Sequence, residues 1–175
     1  MGTPDAVVSD YVTRVEALTI GAVLVRPAAL REILPWLRGE DFSVHRYGVW
    51  YERLRAMHDS GTPIDSLTVL TESRRHGELG PRQECALELA TLEGAVPISA
   101  LACSYARAVL EESLRRQVEQ SGSRLLQMAQ APLDPDELLG NVELVQRDLA
   151  ALKVKWLSSA GGAEREYSDR IVMDR

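Results

Sequence analysis

Two lysines, three histidines and two cysteines are the residues from which nucleotide, metal or thiol chemistry would have to be built in this 175-residue chain. A phosphate-binding loop needs a glycine-rich turn ending in Gly-Lys-Ser/Thr, whose amides cradle the phosphates while the lysine reaches their outer oxygens. Lys153 and Lys155 instead lie inside a helical repeat, with no such turn before them, so these residues do not encode an ATPase motor. His45, His58 and His76 fall on different turns without ligand-pair spacing, which favours surface or capping roles over a metal site. Cys85 and Cys103 are isolated, with no C-x-x-C spacing, and read as small helix-packing residues. Glu40 and Asp41 are adjacent in a helix-entry turn, where capping explains them better than acid–base work, and Glu111 with Glu112 is ordinary helix-surface charge. No nucleophile set is assembled locally. The expectation is a protein that is not an enzyme, with no catalytic, cofactor-binding or metal-ligating residues and no cofactor.

The elements that would carry any other function are helical. Apolar residues make up 45% of the chain with few aromatics, leucine and alanine abound, and β-branched alternation is hard to find, so the fold class expected is all-α. A net charge of -6 argues against a nucleic-acid grip, which needs a concentrated basic surface. The arginine pairs Arg38 with Arg46, Arg53 with Arg55, Arg74-Arg75 and Arg115-Arg116 read as solvated faces. No run of eighteen uncharged apolar residues and no signal segment is found, so a cytoplasmic protein with no membrane partner is expected.

Residues 37–65 have specific turn chemistry on both sides of one helix. Ser43 reads as an N-cap, with Phe42 stapled against Tyr47. Tyr47, Trp50, Leu54 and Met57 then mark a buried face at helical spacing. Gly61 closes the helix after His58, Asp59 and Ser60, Pro63 blocks continuation, and Asp65 caps the next helix with Thr68 three residues in. Upstream, residues 1–12 read as a flexible lead-in, and Thr13 with Glu16 as a capping box before Ala17 to Val25. Pro27 opens a second helix carrying Leu30, Ile33, Leu34 and Leu37, kinked or shortened by Pro35. Pro81 opens a fifth through Leu87, Leu89 and Leu92, closed near Gly94. Residues 13–98 thus form a compact bundle of about five short helices, with Trp36 and Trp50 in its core.

From 99 to 157 the pattern changes to a long antiparallel helical hairpin. Leu110, Leu114, Val118, Ser121, Leu125 and Met128 recur in steps of four and three. Asp134, Pro135 and Glu137 then supply a cap, a first-turn proline and a capping-box acid. Leu138, Val142, Val145, Leu149, Leu152 and Trp156 keep a heptad seam, with Trp156 as its terminal plug. Such a hairpin buries only the seam between its own arms, leaving positions such as Leu126, Leu139 and Leu144 in need of a cover from another chain. Residues 158–175, beginning Ser158-Ser159-Ala160-Gly161-Gly162, read as a linker or flexible tail.

Several pieces of this chain, taken in order, resemble the N-terminal domain of bacterial DnaB-type replicative helicases. They are Thr19 to Leu24 (TIGAVL), Glu40-Asp41-Phe42, His45-Arg46, the turn Gly61 to Asp65 with Thr68, and Tyr105 to Val109 with Glu111 and Arg116. They make Phe42, His45, Gly61, Pro63, Asp65, Tyr105 and Arg116 structural family positions, His45 in a structural hydrogen bond. The chain departs from the pattern at Gly39, where a proline is usual, at Ser73, where an apolar residue is usual, and at Gly80-Pro81, where Gly-Gly is expected.

The resemblance implies a non-catalytic oligomerisation and docking module. It would pair through its hairpin as a homo-oligomer, a dimer or a trimer of dimers, and present a surface to primase in DNA replication. Leu114, Val118, Leu125, Leu138, Val142, Val145, Leu149 and Leu152 are the expected self-association residues. The primase-facing residues do not carry over one by one. Two versions stay open: a piece of a helicase cut in its linker, or a stand-alone regulator or adaptor able to join a full-length helicase or another assembly. A helical nucleic-acid-binding domain is the alternative class, with direct binding expected to be weak or absent.

Overall fold

The computed structural model describes residues 4–78 and 82–173, with side chains described at 10–78 and 84–160. Every element among the described residues is helical: α1 (Pro4–Val25), α2 (Leu30–Ile33), α3 (His45–Asp59), α4 (Ser66–Arg75), α5 (Arg82–Gly94), α6 (Ala102–Gln130) and α7 (Pro135–Met173). Helices α1 to α5 and the first turns of α6 close a head around Ile20, Val23, Leu30, Ile33, Leu37, Trp50, Tyr51, Leu54, Val69, Leu89 and Leu110, all fully buried. The all-α expectation therefore holds.

The turns on either side of α3 follow local rules where the partner is close in sequence. Gly61 adopts φ +69°, its amide donates to the His58 carbonyl at 3.1 Å, and the Thr62 amide donates to that of Met57 at 2.8 Å. This is the double closure that a left-handed residue permits. The same closure recurs at Gly77, φ +68°, which ends α4. Asp65 caps α4 as expected, its carboxylate accepting from the Thr68 amide at 2.9 Å and the Thr68 hydroxyl at 2.6 Å.

Those two bonds, the hydroxyl's first, hold the Asp65 carboxyl below the usual carboxylate range. A lowered folded-state pKa stabilises above the ordinary aspartate value and loses that contribution as pH falls through the lowered one. Asp65→Ala is expected to cost about 1 kcal/mol at pH 7. The gap between variant and wild type in urea unfolding should narrow at about pH 3, below the ordinary value. A gap that stays constant would show that the carboxylate's charge contributes nothing.

Where the partner is distant, the caps differ from the sequence expectation. Helix α1 begins at Pro4, so Thr13 lies in its interior and forms no capping box with Glu16. Glu16 is fully buried and instead caps the turn that enters α3, bonding the amides of the two residues before the helix and not those of its first turn. Its carboxylate accepts from the Ser43 amide at 2.6 Å, the Ser43 hydroxyl at 2.7 Å and the Val44 amide at 3.0 Å. Ser43 is therefore not the cap but a donor to it. Phe42 stacks on Tyr51, ring centroids 5.3 Å apart, rather than stapling to Tyr47. Trp50, Leu54 and Met57 are buried as the periodicity requires, and Tyr47 nearly so. Gly39 sits where Gly48 lets the chains touch: a Cβ on Gly39 would meet the Gly48 carbonyl oxygen at 2.7 Å.

The second helix is shorter than expected. A 3-10 turn at Pro27–Ala29 leads into the four residues of α2; Pro35, lacking an amide, drops one bond, after which the Trp36 and Leu37 amides both close on the Ile33 carbonyl at 3.2 and 3.0 Å. Trp36 and Leu37 still fold into the core. Pro81 lies outside the described residues; in α5, Leu89 and Leu92 are buried but Leu87 is 71% exposed.

Helices α6 and α7 form the hairpin. The 29 residues of α6 span about 43 Å and the 39 residues of α7 about 58 Å at 1.5 Å per residue. Asp134 caps α7 as the sequence suggests, accepting from the Asp136 and Glu137 amides at 2.9 Å each. Helix α7 runs unbroken through Ser158 to Met173, the stretch that composition reads as a linker. The serines turn their hydroxyls back onto the helix, Ser158 to the Val154 carbonyl at 3.0 Å and Ser159 to that of Trp156 at 2.7 Å. Serines used in this way cap nothing and interrupt nothing. No single helix among the described residues is long and apolar enough to cross a membrane.

Candidate interaction surface of the hairpin

Helical spacing sorts the apolar residues of the hairpin into two sets. Leu138, Val142, Leu149 and Leu152 of α7 and Leu114 and Leu125 of α6 are half-buried, and Val145 is 2% exposed. These line the joint where the two arms touch. The second set points outward: Leu126, Leu139, Leu144, Val154 and Leu157 are each at least 50% exposed. Seven of the eight residues expected in self-association thus take part in the chain's own packing.

Val118 is the exception and leaves the seam. It is 55% exposed, while Gln117 and Ser121 beside it are half-buried. With Leu114 and Trp156 it lines an open groove of about 580 Å³, rimmed by Glu111, Arg115 and Glu119. Trp156 packs against the head core, with the Arg107 guanidinium 4.5 Å over its ring, an attraction between cation and ring face. It plugs the seam at the head, as its position in the heptad suggests.

The joint between head and hairpin is polar and was not foreseen in this form. Asp41, fully buried, accepts from Ser113 of α6 at 2.8 Å and from Lys155 of α7 at 2.6 Å. Its other oxygen accepts from the Arg38 amide at 2.8 Å, and the Asp41 carbonyl accepts from Arg116 at 2.6 Å. The Glu-Asp-Phe piece marked Asp41, but nothing in the sequence marks Lys155 as its partner 114 residues away.

The remaining family positions and charges are less eventful. Tyr105 packs on the core. His45 is exposed and borders a cleft with Phe42, Gly48, Val49, Glu52 and Glu78; no hydrogen bond of its side chain occurs among the described residues. Several arginines pair with the chain's own acids: Arg46 with Glu88, Arg53 with Glu78, Arg75 with Glu72, Arg115 with Glu111 and Arg124 with Asp148. Among the described residues no cluster of His, Cys, Asp or Glu has the geometry to hold a metal ion. Cys85 and Cys103 are both buried and unbridged.

A closed helical head joined to a two-helix rod through the buried first turns of α6, Trp156 and the Asp41 cluster defines a head-and-hairpin helical domain. The chain belongs to the DnaB-like helicase N-terminal domain family, whose model matches residues 8–111. It is 33% identical over 113 residues to the replicative DNA helicase DnaB of Leifsonia xyli subsp. xyli (strain CTCB07). It is 30% identical over 134 residues to that of Mycobacterium leprae (strain TN). These matches take in 65% and 77% of this chain but 24% and 22% of the relatives, so the chain spans about a quarter of their length. The crystal structure of the N-terminal domain of DnaB helicase from Mycobacterium tuberculosis superposes with a TM-score of 0.68 at 29% identity, covering 77% of this chain and 94% of that one. What matches is the N-terminal domain of the helicase, which is not its catalytic motor domain.

Proposed function

We propose that this chain is a non-catalytic oligomerisation and docking module of replicative-helicase type, which self-associates through its hairpin and offers part of that surface to primase. The observation that carries this reading is that Leu126, Leu139 and Leu144 stand 67%, 60% and 50% exposed on the hairpin, outside the seam between its arms. Several large apolar side chains left exposed on one element support its use as an interaction surface. Burying each would contribute about 1.5–3 kcal/mol. The paired arginines and the net charge of -6 weigh against nucleic acid as the primary partner. The interior of a bacterial cell is the compartment that suits this reading.

The seam residues and the outward row separate experimentally. An aspartate at Val142 or Leu149 would open the hairpin's own joint as well as any interface. Glutamates at Leu126, Leu139 and Leu144 together should leave the helical circular dichroism and the melting of the head unchanged. Sedimentation velocity should move from a species larger than 19.4 kDa to the monomer. Retention of a cognate primase in a sizing run should fall with it. An oligomer that sediments unchanged in the triple variant would refute the hairpin surface as the contact.

A further inference from the structure

We propose that Asp41 is a latch joining both arms of the hairpin to the head, and that Lys155 is the half of it that holds α7. One carboxylate buried in the head takes Ser113 of α6 and Lys155 of α7 on the same oxygen, at 2.8 and 2.6 Å. Ser113 is in turn held by the amide of Gln117 at 2.8 Å. Glu40 stands 3.7 Å from the Lys155 ammonium on the solvent side, and a polar cleft lined by Gln117, Gln120, Arg124 and Asp148 opens beside it.

The two arms do not depend on this latch equally. Helix α6 sinks Ala102, Cys103, Ala106, Val109 and Leu110 into the head core, an apolar anchorage that survives loss of a polar bond. Helix α7 has fewer buried positions there: Trp156, half-buried against the core under Arg107, Ser159, buried, and Lys155, whose side chain is 18% exposed. Ammonium and carboxylate so enclosed form a charge-assisted bond that water does not readily replace. Because α7 continues unbroken to Met173, its angle at Lys155 sets the course of the helix beyond it. Releasing Lys155 frees that lever and leaves α6 in place. This inference rests on the fold alone and stands whether or not the hairpin surface binds a second copy.

Amide hydrogen exchange on the full chain tests it. In Lys155→Met, exchange across residues 150–160 should accelerate about tenfold or more, the loss expected of one hydrogen bond between charged groups. Residues 102–113 of α6 and all of α3 should exchange as in wild type, and Lys155→Arg should restore most of the protection. Lys155→Met leaves the Asp41 charge buried without its counter-ion. The double variant Asp41→Asn/Lys155→Met therefore removes both charges, while the amide it places in the head can still bond Ser113 and the Arg38 backbone; it should fold and show the same loosened α7. Wild-type protection of α7 in either folded variant would overturn the latch. So would acceleration spread evenly over α3, α6 and α7, or failure of both variants to fold, since Asp41 and Lys155 would then hold the whole domain and not one arm.

Discussion

Glu16→Ala is expected to lower the unfolding free energy by about 2–3 kcal/mol, since it removes three hydrogen bonds to one buried carboxylate, although the exposed Ser43 can turn its freed donors to water. The Ser43 amide, the Ser43 hydroxyl and the Val44 amide all end on this one carboxylate. It sits at the N-terminus of α3, where the unpaired amides and the helix dipole favour a negative charge. The replacement also leaves a void, because Glu16 is among the largest fully buried side chains. Glu16→Gln keeps an acceptor and should lose roughly half as much. Urea unfolding followed by circular dichroism gives both numbers. Thr13→Ala is the internal control: Thr13 is exposed inside α1, so removing it should change stability by no more than a few tenths of a kcal/mol, in the stabilising direction. If Thr13→Ala cost more than Glu16→Ala, the long-range cap would be wrong and the local capping box right.

The contrast between those two residues shows which parts of the fold the sequence carries legibly. Asp65 with Thr68, Asp134 with Glu137, and Gly61 before Pro63 all act within a few residues of where they stand, and each does what its spacing implies. Glu16 also stands three residues after a threonine, but its acceptor function is claimed by an amide 27 residues away. Residue type told that Glu16 was a cap without telling of which helix. Lys155 is the stronger case, a lysine in a heptad helix whose partner is 114 residues away. The hairpin surface was legible in outline: Leu126, Leu139 and Leu144 are exposed because the heptad positions already fill the seam. Val118 follows the apolar spacing yet lies outside the hairpin's own seam, while Gln117 beside it bonds Ser113 with its amide. The Ser-Ser-Ala-Gly-Gly stretch reads as linker by composition, yet composition does not count the hydroxyls that bond back to the helix at Ser158 and Ser159.

Gly21 carries the second large expected effect, opposite in sign to what helix propensity alone would give. In the middle of α1, alanine in place of glycine would ordinarily stabilise by about 0.8–1 kcal/mol. Here a Cβ would lie 2.2 Å from the Leu92 carbonyl oxygen and 2.7 Å from Val96 Cγ2. The obstacle is backbone of α5, which no rotamer change can move, so α1 and α5 must separate where Leu89 and Leu92 are buried. Forced overpacking of this kind costs about 1–3 kcal/mol for a methyl group, and the interhelical gap adds lost contacts. Gly21→Ala should therefore destabilise by about 2 kcal/mol net of propensity, and Gly21→Val by more, because its branch adds bulk and stiffness. Gly122 and Gly140, on the hairpin, meet nothing within 4 Å, so alanine there should stabilise by about 0.5–1 kcal/mol. Thermal melts of the three single alanine variants measure the reversal directly. A Gly21→Ala protein that melts at or above wild type would mean that α1 and α5 are not in backbone contact, and the close crossing that shapes the head would have to be abandoned.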